Sequence, residues 1–272
     1  MVNIAAGSRR ALYRSRAEQA PRDPTTCHPS QHQGHENPTR RSCELAEANK
    51  TVLGAAGAIQ AASPFLEETK DLLKPIQFGV VGILKHLATG NRDRIITGYE
   101  PSSLEPPSLT SPLILLIALL GRTDEMPTKS EGTRVLVNLV KTVWAQDADA
   151  TLELRRVLLS SNGVVPCIAE MIRTTQFPVL QNEGVIALTL LSASSDNERG
   201  ALDIVFTSLM TIPPPPLPSN EDEDEDKSEP SGLPKSLLDV LTDIVKNVSL
   251  KYPNEIRCNV CVLLESIATR SE

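Results

Sequence analysis

The sequence predicts an all-α chain built as a solenoid of stacked helical repeats, and three observations predict it. Hydrophobic residues make up 40% of the 272 residues, yet aromatic residues make up only 3%. The core must therefore be aliphatic, and Leu, Val, Ile and Ala interdigitate well between stacked helices. From about Glu44 onward apolar residues recur at helical spacing, with no convincing alternating strand. Three helices also open alike, at Pro75-Ile76-Gln77, at Pro178-Val179-Leu180-Gln181 and at Pro253-Asn254-Glu255-Ile256-Arg257. Proline suits the first turn of a helix because the N–H it lacks has no helical partner there.

Residues 1–43 differ from the rest. They are rich in Arg, Pro, His, Gln and Ser and poor in large apolar residues, so burial cannot offset the entropy of ordering them. A disordered tail is expected. Arg9, Arg10, Arg14 and Arg16, with few acids nearby, also have the character of a transit peptide, but disorder without targeting is the favoured reading. Leu45 to Ala62 reads as a helix. After Pro75, the residues Ile76, Val80, Ile83, Leu84 and Leu87 mark one apolar stripe. Gly98 to Pro112 is a breaker stretch. Helices are expected at Leu113–Leu120, Glu131–Trp144, Leu152–Leu159 (closed by Asn162-Gly163), Val164–Arg173, the run after Pro178, Leu202–Met210, Leu237–Leu250 and Ile256–Ala268. The resulting organisation is a tail (1–43), repeats (44–212), a Pro/acidic linker (213–234) and a last repeat (235–272).

Aligning the proline-opened helices with the run Gly132–Leu139 places His86, Asn138, Leu190 and Ser266 at one equivalent position, at separations of 52, 52 and 76 residues. A three-helix armadillo or HEAT unit is about 40–47 residues. Two gaps are then one unit plus a short insertion, and the third is one unit plus the acidic linker. Loop insertions are thermodynamically cheap. A single unit cannot bury its own apolar face, whereas stacked units can. The expected fold is an armadillo-type helical repeat solenoid of about four to five units.

Charge and composition narrow the function. The net charge is −7, and the segment Pro213 to Gly232 alone carries −6 of it, so the body is nearly neutral. No basic stripe marks a nucleic-acid face. The run Glu221 to Asp226 is either a solvated, self-repelling linker, the favoured reading, or an electrostatic lure for a basic partner. The longest uninterrupted apolar run, Leu113 to Leu120, is eight residues. A membrane span needs about 20. The five cysteines, Cys27, Cys43, Cys167, Cys258 and Cys261, form no small disulfide framework, which points to a reducing, cytoplasmic setting; mitochondrial or endoplasmic-reticulum association is the alternative that the Arg-rich start leaves open.

Catalytic chemistry finds little support. All four His lie at or before residue 86, no nucleophile elbow is present, and neither GxxxxGK[ST] nor GxGxxG occurs. Cys27, His28, His32, His35 and Cys43 could ligate zinc, but prolines, the lack of apolar support and the missing C-x2-C pairing favour a polar tail. Cys258 and Cys261, a C-x-x-C on a helix, read as free core thiols. His86 reads as a half-buried groove-wall residue. Trp144 is either a plug between helices or an exposed anchor. No metal, cofactor or catalytic residue is expected.

The segment Val135-Leu136-Val137-Asn138-Leu139 resembles the core of armadillo third helices. Further segments together resemble the small-GTPase GDP dissociation stimulators (the SmgGDS, or Rap GTPase–GDP dissociation stimulator, family), in a fungal-type form. They are Pro75-Ile76-Gln77-Phe78, Glu131-Gly132-Thr133-Arg134, Asn162-Gly163-Val164-Val165, Gln181-Asn182-Glu183 with Ala187-Leu188, and Glu255-Ile256-Arg257-Cys258-Asn259. The resemblance covers roughly Asn49 to Ile267 and rests on the order and spacing of these segments. It implies third helices lining a groove, with Asn138 at the position that bonds a ligand's backbone; the other three repeats carry His86, Leu190 and Ser266 there. It also implies a regulator, not an enzyme, that binds Rho- and Rap-type GTPases with basic, prenylatable tails and promotes nucleotide release or chaperones them. The family's arrays are longer than this chain. The expected groove residues are His86, Arg134, Asn138, Glu183 and Asn259. A generic adaptor for an extended peptide, dependent on Asn138, is the alternative expectation.

Overall fold

Helix starts are set by local chemistry that the sequence carries openly. In the computed structural model, which describes residues 48–98, 111–193, 199–213, 235–247 and 251–269, all regular structure among the described residues is helical. These residues belong to one unit, Ser42–Glu272. Residues 48–55 are helical (α1), and Gly57, at φ 86°, separates them from α2 (Ala58–Ala62). The left-handed backbone there suits glycine because it has no Cβ to clash. The single helix expected over Leu45–Ala62 is thus two pieces. Two short 3₁₀ helices follow, Ser63–Leu66 and Glu68–Leu73, and then α3 (Lys74–Leu87), with Pro75 in its first turn.

Next come α4 (Arg92–Thr97), α5 (Pro112–Arg122), α6 (Met126–Trp144), α7 (Ala148–Ser160), α8 (Val164–Thr174), α9 (Pro178–Ser192), α10 (Arg199–Met210), α11 (Leu237–Lys246) and α12 (Asn254–Ala268). The Ser111 hydroxyl caps α5 by accepting from the Ile114 N–H at 3.4 Å, ahead of Pro112. Asp147 caps α7, and Ser236 with Asp239 forms a reciprocal capping box on α11. Each cap satisfies amide donors that the first turn leaves without helical partners. The short α4 was not expected; six residues are too few to show a periodic stripe, yet Ile95 and Ile96 are both buried. The helix predicted from Glu131 starts five residues earlier, with Pro127 in its first turn. All four equivalent helices therefore have a proline at or immediately before their first turn. The tail 1–43, residues 214–234 of the acidic linker and most of the 98–112 breaker lie outside the described residues.

Packing follows a period of three elements. Helix α3 packs on α6, α6 on α9 and α9 on α12. In a second row the Ser63–Leu66 turn packs on α5, α5 on α8 and α8 on α11, while α4 packs on α7. Each third helix also packs on the second helix of its own unit, as α6 does on α5 and α9 on α8. The buried hydrophobic side chains among the described residues are Leu, Ile, Val, Ala and Met171, with no aromatic ring. The aliphatic core that the composition demands is therefore present. The stripe on α3 is rotated from the expected one: Gln77, Val80, Val81, Leu84 and Leu87 are buried, while Ile76 and Ile83 are each 44% exposed.

Close approach of second and third helices depends on glycine. A Cβ built on Gly132 would lie 2.6 Å from Leu120 Cδ2, and one on Gly184 would lie 2.6 Å from Ile172 Cγ1. Gly132 and Gly184 are 52 residues apart and occupy equivalent positions in successive units. A Gly184→Val variant is expected to lose about 1–3 kcal/mol of stability by overpacking, read as a lower denaturation midpoint in urea. At Gly121 nothing lies within 4 Å of the built Cβ. Gly121→Ala is therefore expected to gain about 0.5 kcal/mol in the same measurement, from helix propensity alone.

Candidate partner-binding surface

Stacking the third helices brings one side-chain position of each unit against the unit before it. That position holds Glu131 on α6, Glu183 on α9 and Asn259 on α12, spaced 52 and 76 residues apart. Each meets a polar group on the preceding third helix. Glu131 pairs with Lys85 of α3. Glu183 Oε2 lies 3.5 Å from Arg134 Nε of α6. Asn259 Nδ2 donates to Asn182 Oδ1 of α9 at 2.8 Å. Arg134 Nη1 also donates to Glu131 Oε1 at 2.9 Å within α6. The result is one polar row running across four helices: Lys85, Glu131, Arg134, Glu183, then Asn182 and Asn259. Further along the same α9–α12 contact, Ser192 Oγ and Ser266 Oγ are 3.0 Å apart.

The row is shielded but not sealed. Side-chain exposures are 21% for Lys85, 23% for Glu131, 33% for Arg134 and 26% for Glu183, so the charges still reach solvent and an approaching partner. Burial raises the Glu131 carboxyl, but hydrogen bonds and charge from Lys85 and Arg134 outweigh it and hold the group below the ordinary Glu value. Burial lowers the Arg134 guanidinium, and Glu131 and Glu183 outweigh that effect in turn. The alternating signs of Lys85, Glu131, Arg134 and Glu183 leave no net charge on these four groups. An arrangement of this kind can exchange its internal bonds for bonds to a partner's charged or amide groups.

Of the five expected groove residues, Arg134 and Glu183 meet directly, and Asn259 joins the same row through Asn182. Asn138 is half-buried on α6, one turn beyond Arg134, and its amide has no hydrogen-bond partner among the described residues. His86 is exposed on α3 rather than half-buried. It shares its repeat position with Asn138, which lies off the row. Lys85, Glu131 and Asn182 were not anticipated as site residues. The signal for them was available: the 52-residue spacing that aligns His86 with Asn138 also aligns Glu131 with Glu183, seven residues earlier in each helix.

Other expected features fall elsewhere. Cys258 and Cys261 are exposed, not core thiols. Their helix is the last described one, and no described unit follows to cover that side. Cys167 is half-buried, and burial pushes its thiol up to about 11, so it is a poor nucleophile at neutral pH. Trp144 is half-buried, with the Arg155 guanidinium 5.1 Å from its ring centroid. That geometry is a cation–π contact, and it makes Trp144 a plug between α6 and α7. The described residues bring together no group of three or more metal-ligating side chains; Cys27, His28, His32, His35 and Cys43 lie outside them. No described helix is long and apolar enough to cross a membrane.

The lowered Glu131 carboxyl makes its contribution to stability pH-dependent. A depressed folded-state value contributes stability that is present above the ordinary Glu value of 4.5 and is lost as pH falls through the folded value. Glu131→Gln is therefore expected to be less stable than the parent at pH 7, by about 1 kcal/mol. The gap should close as pH drops below 4.5, checked by urea titrations at pH 7, 5 and below. No family model matches this chain, and neither the curated proteins nor the solved structures contain a match to it.

Proposed function

We propose that the chain is an armadillo-type scaffold that binds a small GTPase across its third-helix row and regulates it without an active site of its own. The observation that carries this reading is the convergence of three of the five family-like segments on one surface. Glu131 and Arg134, Asn182 and Glu183, and Asn259 come from three segments far apart in sequence, and all lie in the polar row. The three-element packing period and the proline-opened third helices support the armadillo type.

The partner would be a Rho- or Rap-type GTPase with a basic, prenylatable tail, in keeping with the resemblance. Binding that favours the nucleotide-loose form would pull the GTPase toward it by mass action, and binding without that preference would chaperone the protein. Neither route requires an acid, base or nucleophile from the scaffold, and both suit a cytoplasmic protein. The test is release of a fluorescent guanine nucleotide from such a GTPase, together with a direct binding measurement. Accelerated release or a stable complex is expected. Arg134→Glu should weaken the complex by about tenfold or more, equivalent to about 1.4 kcal/mol. Neither acceleration nor complex, with the scaffold folded, would refute the reading.

A second reading is favoured by one observation, the half-buried Asn138 amide, which has no hydrogen-bond partner among the described residues. A side-chain amide in that state can donate to and accept from a peptide backbone. An adaptor of this type would bind extended peptides whether or not a GTPase is present, and Asn138→Ala would abolish binding while Arg134→Glu would not.

A further inference from the structure

The position that faces the preceding unit is filled by Glu131, Glu183 and Asn259 in three units, and in the first by Gly79. Nothing lies within 4 Å of a Cβ built on Gly79, or on Gly82 beside it. One turn beyond, Ile83 is 44% exposed, whereas its equivalents Val135, Ala187 and Leu263 are all 0% exposed. One turn before, Ile76 is 44% exposed, whereas of its equivalents Thr128 and Ile256 are buried and Leu180 is half-buried. Each later unit thus covers most of this face against its predecessor, and on α3 no described unit covers it. Ile76, Gly79, Ile83 and His86 run along one side of the helix at helical spacing. Between Ile76 and Ile83 that side carries no charge.

We infer that this face of α3 is a self-association surface, where α3 of a second copy of this chain packs antiparallel about a two-fold axis. The strip is self-complementary in that arrangement. With the axis passing between Gly79 and Val80, Ile76 of one copy meets Ile83 of the other, and Leu73, 38% exposed, meets the partner's His86. Gly79 and Gly82 allow the two backbones to approach closely. The contact continues an interface that already exists, since the opposite side of α3 packs on α6. A two-fold copy would extend the third-helix row as α6–α3–α3–α6. Within the chain's own N-terminal segment, residues 14–44 contain no Leu, Ile, Val, Met, Phe, Tyr or Trp, so that stretch offers this face no large apolar side chain. This inference rests on repeat packing and is independent of the identity of any GTPase partner.

The test is sedimentation velocity on the full chain over a concentration series reaching about 300 μM. The upper limit is set by the small size of a two-helix contact, which implies dissociation on the order of 10 μM or weaker. A reversible monomer–dimer equilibrium is expected. Ile83→Glu and Ile76→Lys should each weaken dimerisation by at least tenfold, because each places a charge opposite an isoleucine. The double variant, which sets Glu opposite Lys across the two-fold axis, should recover most of the lost affinity. Both sites are solvent-exposed in the monomer, and unchanged helical circular dichroism would confirm that the variants fold. A chain that stays monomeric throughout overturns the inference, as does a dimer indifferent to both single substitutions. Failure of the double variant to recover would overturn the antiparallel register.

Discussion

Everything in this fold depends on the burial of one aliphatic helix against its counterpart in the next unit. A three-helix unit of about forty residues has too little interior to shield its own apolar side chains. Val135, Leu136, Val137, Leu139, Val140 and Val143 of α6 are all fully buried because α3 and α9 flank them while α4, α5, α7 and α8 pack beneath. With almost no aromatic volume available, the interior closes through many small contacts between branched side chains. Glycine at positions 132 and 184 is part of the same constraint, since it lets a second helix close on a third one without a gap.

The polar row follows from that packing. Third helices placed side by side share a core face and an outer face, and the residues at the seam are partly shielded on both flanks. A charge at a seam must find a partner there, because partial desolvation without pairing is unfavourable. Lys85 with Glu131, Arg134 with Glu131 and Glu183, and Asn182 with Asn259 meet that requirement by alternation. The same requirement makes the row a candidate for recognition, because groups already arranged to satisfy one another are preorganised to meet a charged partner. The first described unit carries Gly79 at the equivalent position, so the side of α3 that no described unit covers is apolar there and not ionic.

Much of this was legible in the sequence. Pro75, Pro178 and Pro253 marked three of the four third helices, and the 52-residue spacing placed them in register. The aliphatic core followed from composition alone. Arg134, Glu183 and Asn259 were expected on a shared surface, and they lie in one row. Other parts were not legible, for specific reasons. The buried stripe of α3 was misplaced because Ile76 and Ile83 are apolar yet face a side that no described unit covers; periodicity finds apolar faces, and it cannot tell how many of them are buried. Helix α4 was missed because six residues span less than two turns. Cys258 and Cys261 were expected as free core thiols; Cys261 shares its repeat position with the buried Val185 and Cys258 with the half-buried Asn182, but on the last described helix both are exposed. Lys85 was missed because its role depends on a residue 46 positions away, and no local pattern reveals such a pair.

The most direct measurement of this account is the contact between α9 and α12, whose partners are separated by 77 residues and by the acidic insertion. Asn259 donates its side-chain amide to Asn182 only if the last unit stacks on the one before it in the 76-residue register. In a side-chain-labelled sample, the Asn259 amide protons should show nuclear Overhauser contacts to the Asn182 side chain, with assignments fixed by the loss of each amide signal in Asn182→Asp and Asn259→Asp. Those contacts are the predicted result. Asn259 amide protons that contact only residues of their own helix, in a chain that is otherwise folded and helical, would contradict it.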